Sequence, residues 1–471
     1  MTEIQQIGDS DLVVIGGSIG CLVSALSAGE AGARVTLILP HNRVGGGFAT
    51  LEQDGFLLDV GCRRFDLTAD QVGTTLDQYQ PGTRTRPFAT HYRSFLEDTI
   101  GLELVATPPP QMSYDGKFAA DFVTSLDLTS LRNLMSKSDL EKITAETDAI
   151  LSAQPPSPLT LGLGSWPDLS AVSLQEASLA NHGATFHTRL VETMAKKLYP
   201  AGWSTMPADL ATKIWTALFF PRTINSGCRN ELERDRPGIT YFYPVSGHFG
   251  EFVSKLLARI YETPTVQIIE SLGLTSLTRD GKEMVAQQSD GATYRWSCPF
   301  ALGTSVDNYS QMAGKTETTD KLPLALLWAD IAEDDLLIEP EMINVFDADT
   351  SAYRISLGGT GGVPGRCVVT LEMTGQSEEC SKDGAISVLT RMGILRPGAN
   401  INVIKKDPGL KIVAPSNRNR RLIADASASF ADQDINPILI GTLNDLRADT
   451  LADNVLQGLK IGSILRSGGT L

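Results

Sequence analysis

The residues best placed to do chemistry in this 471-residue chain are glycines, not acids, bases or metal ligands. Gly16, Gly17, Ser18, Ile19, Gly20 and Cys21 follow the apolar run at 11–15. A turn that cradles a pyrophosphate needs glycine where backbone meets phosphate, and it needs a helix N-terminus aimed at the negative charge. The usual pattern is G-x-G-x-x-G. Here Gly16 fills the first position, Ser18 stands at the second and Cys21 at the third. A second glycine turn, Gly45, Gly46 and Gly47, comes about 25 residues later. A ribose-binding acid belongs at the end of the second strand. Leu39 and Pro40 occupy that place, with Asn42 nearby as a weak substitute. The turn therefore reads in two ways, as a dinucleotide cradle or as a βαβ unit without a ligand.

Other candidates are single residues. Arg63 and Arg64 follow Gly61, and their guanidinium forks suit carboxylate or phosphate. The plainer alternative pairs one of them with an acid such as Asp59 or Asp66. His248 lies where a helix begins and is a candidate base, although a capping or exposed histidine is the commoner case. Tyr241 and Tyr243 alternate with Phe242 along a strand, so one face is expected to line a cleft and the other to fill core. Trp203, Trp215 and Cys62 read as core, and Asp59 as a structural acceptor for backbone amides.

The elements that must position these residues follow from periodicity. An apolar run at 11–15, an Ala- and Leu-rich stretch closing at Gly32, and a second run at 34–39 make strand, helix and parallel strand. Asp54-Gly55 and Asp280-Gly281 separate apolar runs and predict hairpins. Helical patterns cover 126–150 and 173–198. Strand patterns cover 239–243, 266–269, 273–277 and 284–288, and a β-rich stretch runs over 322–371. Residues 437–440 predict a last strand and 451–465 a closing helix. The whole is an α/β chain.

Composition narrows the function. The formal net charge of −15, with no run of five basic residues, speaks against a nucleic-acid partner. No apolar run of about 18 residues predicts a membrane span, and the first ten residues are unlike a secretory leader. Six scattered cysteines form no C-x-x-C pair and fit a reducing, cytoplasmic setting. The five histidines show no ligand spacing, so no metal site is expected.

Several segments resemble, in order, those of flavin amine oxidases, protoporphyrinogen oxidases and UDP-galactopyranose mutases. They are the run from Arg34 through Gly47, Gly55 to Gly61, Lys197 to Trp203 with the Met206 to Leu210 segment after it, and Tyr241 to Gly250. Leu274 to Gly281, Ile440-Gly441 and Asn454 to Gly458 complete the set. The resemblance implies a Rossmann-type FAD-binding domain assembled from 1–75, 236–300 and 411–471. An interleaved α+β substrate domain would comprise the mainly helical 76–235 and the β-rich 301–410. FAD would meet Gly16, Gly17, Ser18 and Gly20 at its pyrophosphate, and Gly45, Gly46 and Gly47 at its ribityl chain. Leu274 would meet the adenine, and Gly441 the flavin or pyrophosphate. Thr442 stands where many members carry a charged residue. The implied activity is hydride removal from a C–N or C–C bond of a small organic substrate. A redox-neutral mutase and a cofactor-free binding or scaffold subunit stay open, as does a homodimer or a partner subunit.

Overall fold

The computed structural model describes residues 4–40, 44–68, 73–83, 85–122, 128–153, 169–216, 218–231, 240–361, 364–375 and 377–470. Apolar runs at the start of the chain dictate its first layer. Strands β1 (Leu12–Ile15), β2 (Val35–Pro40), β3 (Val266–Ser271), β4 (Phe300–Leu302) and β5 (Ile438–Leu439) form one parallel sheet in the order β3-β2-β1-β4-β5. Both faces are covered, as continuous apolar strands require. Leu12, Val14, Leu37 and Leu39 face helices α1 (Ile19–Glu30), α2 (Gly250–Glu262) and α3 (Leu451–Arg466). Val13, Ile15 and Ile38 face a second core. It is built from the antiparallel strands Leu274–Asp280, Glu283–Gln288 and Thr293–Trp296, with helices Val306–Met312 and Asn417–Ala431.

α1 and α3 approach unusually closely because both carry small residues at the contact. A Cβ on Gly458 would lie 2.7 Å from Ser24 N, and one on Gly462 would lie 2.5 Å from Ser27 O. Ser27 Oγ donates to Gly458 O at 2.6 Å. The helices therefore bring both of their N-termini to the same end of the sheet.

The rest of the chain builds two small three-stranded sheets, which hold Tyr241–Pro244 and Phe56–Asp59, and a seven-stranded sheet. The long strands of the seven-stranded sheet are Lys321–Ala332, Arg366–Thr374 and Asn402–Val413, and Gln111–Tyr114 and Lys117–Ala120 join at one edge. Helix Lys382–Arg391 covers one face and a helical cluster the other. The Asp54-Gly55 hairpin forms, with φ of 51° and 83° at its two turn residues. The hairpin between 274–280 and 283–288 forms too, turning at Gly281 and Lys282.

Two helix expectations need correction. The stretch 126–150 is not one helix, and its first residues lie outside those described. Beyond them come a 3-10 turn, Leu131–Leu134 and then Lys137–Ser152. Ser136 adopts extended geometry and caps the last of these by accepting from Asp139 N, which forces the break. The stretch 173–198 starts on the Ser173–Glu176 capping box. It is then broken at Gly183 (φ 78°, ψ 168°) and continues through a π turn into Glu192–Leu198.

Candidate functional site

The glycine turn sits at the C-terminal end of β1. Gly16 has φ of 130°, and a Cβ there would lie 2.0 Å from Gly303 O, so only glycine fits. Ser18 caps α1 by accepting from Cys21 N at 3.3 Å. Cys21 is tolerated where a third glycine is usual because Gly303, at the end of β4, leaves room. Cys21 Sγ reaches Ile15 O at 3.5 Å and Gly303 O at 3.9 Å. Burial pushes this thiol up to about 11, so it is an inert packing group.

The second glycine turn lies across the first. Gly45 N donates to Gly17 O at 2.8 Å, and Gly45 and Gly46 have φ of 84° and 58°. Gly46 stands beside Ser18, and Gly46 and Gly47 are both exposed. Among the described residues the N–H groups of Gly17, Ser18 and Gly20 have no acceptor. Gly20 is closed in from the other side by Ile440 and Asn454. Gly441 (φ 67°) donates its N–H to Gln457 Oε1 at 2.9 Å, and the buried Gln457 Nε2 has no partner among the described residues. Gly16, Gly17, Ser18, Gly20, Gly45, Gly46, Gly47 and Gly441 thus converge on one end of the sheet. Leu274 is buried in the second core, with its backbone at the start of the neighbouring antiparallel strand. Leu39 is buried in the α1 core and offers no acceptor, and Asn42 lies outside the described residues.

A second cluster adjoins the first through Arg63. Its Nη2 donates to Gly47 O at 2.7 Å and its guanidinium lies 4.9 Å from the Phe48 ring centre. Its Nε is buried and unpartnered among the described residues, and burial lowers its pKa. One of the two arginines, Arg64, does pair with an acid as the plainer alternative expected, but the acid is Glu341 and neither Asp59 nor Asp66. Arg64 Nη2 meets Glu341 at 3.1 Å and Leu357 O at 3.0 Å, while Asp66 is taken by Arg86. Asp59 is filled instead by Tyr243 Oη, by Phe249 N at 2.9 Å and by Thr50 Oγ1 at 3.2 Å. Burial raises the Asp59 pKa against those hydrogen bonds, and burial beside Asp59 raises that of Tyr243. Arg64 stacks on Tyr243 at 4.2 Å from the ring centre. His248 lies in the same turn region, and its Nδ1 is buried with no partner among the described residues.

Glu372 and Arg354 escaped the sequence reading. Glu372 accepts from Cys62 N at 2.8 Å, from Tyr353 Oη at 2.8 Å, and from Arg354 Nε and Nη2 at 2.6 and 2.7 Å. It lies so close to Gly61 (φ 77°) that a Cβ there would be 2.9 Å from Glu372 Oε2. Although burial works the other way, Arg354 holds the Glu372 carboxyl below its ordinary range. Arg354 in turn lies over Trp215, which stacks on Tyr353 with ring centres 5.2 Å apart. The arrangement ties the 61–64 segment to the seven-stranded sheet and sets the half-buried Arg63 near Glu372 and Asp59, though among the described residues it forms no ion pair with either.

Residues 14–79 match the family described as an NAD(P)-binding Rossmann-like domain. No curated protein matches the sequence. Among solved structures the chain resembles a reduced UDP-galactopyranose mutase, with a TM-score of 0.70 and 12% identity over 98% of this chain and 96% of that one. It also resembles a putative protoporphyrinogen oxidase from Exiguobacterium sp. 255-15, with a TM-score of 0.61 and 15% identity over 99% of each chain. A putrescine oxidase redesigned in its cofactor binding gives 0.56 and 13%, over 99% of this chain and 100% of that one. The chain therefore has the mixed α/β fold with a Rossmann-like parallel sheet that these proteins share.

Proposed function

We propose that this chain binds FAD and acts as an oxidoreductase that takes a hydride from a C–N or C–C bond of a small organic molecule. One observation carries the reading: the first turn of α1 keeps N–H groups with no acceptor among the described residues, beneath two exposed glycines. Such donors at a helix N-terminus are costly to leave unmade and suit a diphosphate. Gly17, Ser18 and Gly20 would hold the diphosphate, and Gly46 and Gly47 the chain leading to the flavin. FAD would supply the hydride acceptor. Arg63 brings a guanidinium that forms no ion pair among the described residues to this loop, and its fork suits an anionic partner. Tyr243 and Asp59 hold the turn before α2 against the 56–59 strand.

A second reading is a relative that binds no flavin. Leu39 in place of the ribose acid is the observation that favours it. The mutase reading loses ground because Glu341 occupies Arg64. The test is the visible spectrum of the purified protein, followed by addition of amines and of compounds with a saturated, activated C–C bond. Flavin absorbance that bleaches supports the oxidoreductase. Colourless protein that stays inactive with added FAD rejects it.

A further inference from the structure

The missing ribose acid has a structural neighbour. β3 lies beside β2 in parallel, and its register pairs Glu270 with Leu39 and Ser271 with Pro40. Residues paired across parallel strands point to the same face, and adjacent strands lie about 4.8 Å apart. Packing confirms the face: Val266 and Ile268 lie against the same core as Val35, Leu37 and Leu39, while Ile269 lies against the other. Glu270 continues the first series to the open end of the sheet. It is exposed, and its carboxylate has no partner among the described residues. Immediately beyond it Leu272 is 55% exposed, an apolar surface next to the Leu274 backbone.

We propose that Glu270 is the acceptor for the adenosine ribose hydroxyls, one strand over from the place where the second strand would supply it. The inference rests on the proposed binding of FAD. It commits to the ribose diol of an adenosine diphosphate as the ligand, with Leu272 under the base. Leu39 is then free to be core, because the carboxylate comes from β3.

The test titrates the full chain with FAD, with ADP and with FMN, in wild type and in Glu270→Leu. Hydrogen bonds to a charged group of this kind correspond to about tenfold to a hundredfold in affinity. Glu270→Leu is expected to weaken FAD and ADP by that factor and to leave FMN, which has no adenosine, unchanged. Glu270→Gln, of the same size and with one acceptor oxygen kept, is expected to fall between. FAD and ADP binding to Glu270→Leu with wild-type affinity overturns the assignment while leaving the flavin reading intact. A wild-type chain that binds neither FAD nor FMN removes the flavin reading, and this assignment with it.

Discussion

Glu372→Ala is the most informative perturbation of the scaffold. The carboxylate is 3% exposed and accepts four hydrogen bonds, two of them from Arg354. Removing it leaves Arg354, itself 5% exposed, without its counter-charge and takes the same carboxylate's field from Arg63. Breaking one side of a buried ion pair costs about 3–5 kcal/mol, mostly because the other charge stays buried. The Arg354→Met and Glu372→Ala double variant removes both charges and should cost less than Glu372→Ala alone. Urea unfolding followed by tryptophan fluorescence is a suitable assay, since Trp215 lies under Arg354 and reports on the same junction. A loss below about 1 kcal/mol in Glu372→Ala would refute the buried charge account. So would a double variant worse than the single one, because the penalty would then not come from an orphaned cation.

Two further outcomes follow from packing and titration. Gly458→Val places a side chain against the Ser24 backbone, which cannot give way, and should cost at least about 1–3 kcal/mol in a thermal or urea melt. His182 is fully buried, accepts from Phe219 N at 2.8 Å and meets Ser178 Oγ at 2.9 Å. Burial, helped by His187, pushes its pKa down to about 3. The folded state keeps it neutral while the unfolded chain takes a proton below about 6.5. Stability from this group is therefore complete above pH 6.5 and is lost as pH falls from there toward 3. The loss should reach about 2 kcal/mol by pH 5, and His182→Gln should show a shallower acid limb in unfolding midpoints measured at pH 7 and 5.

Local signals in the sequence were strong where one element decides its own shape. The apolar run ending at Gly16, the stop at Gly32 and the Asp54-Gly55 turn each act within a few residues, and each element forms. The break at Ser136 had a local sign, a serine three residues before Asp139, but the helical period around it hid the cap. The candidate site was legible in its backbone and not in its partners. Cys21 looks like a defect in the motif until Gly303, far along the chain, is seen to make room for it. Arg64 finds Glu341, and Cys62 finds Glu372, across separations that no periodicity encodes. Leu39 reads as a lost ligand in one dimension, and only the strand register sets Glu270 beside it.

The central claim is that the α1 N-terminus and the two glycine turns still accept a flavin dinucleotide. The direct measurement is the thermal unfolding of the full chain with rising FAD. A ligand held only by the native state at a hundred times its dissociation constant stabilises by about 2.7 kcal/mol, so the melting temperature should climb steadily with FAD and the protein should turn yellow. A melting temperature that stays flat through millimolar FAD, with no colour retained after dialysis, would contradict the account.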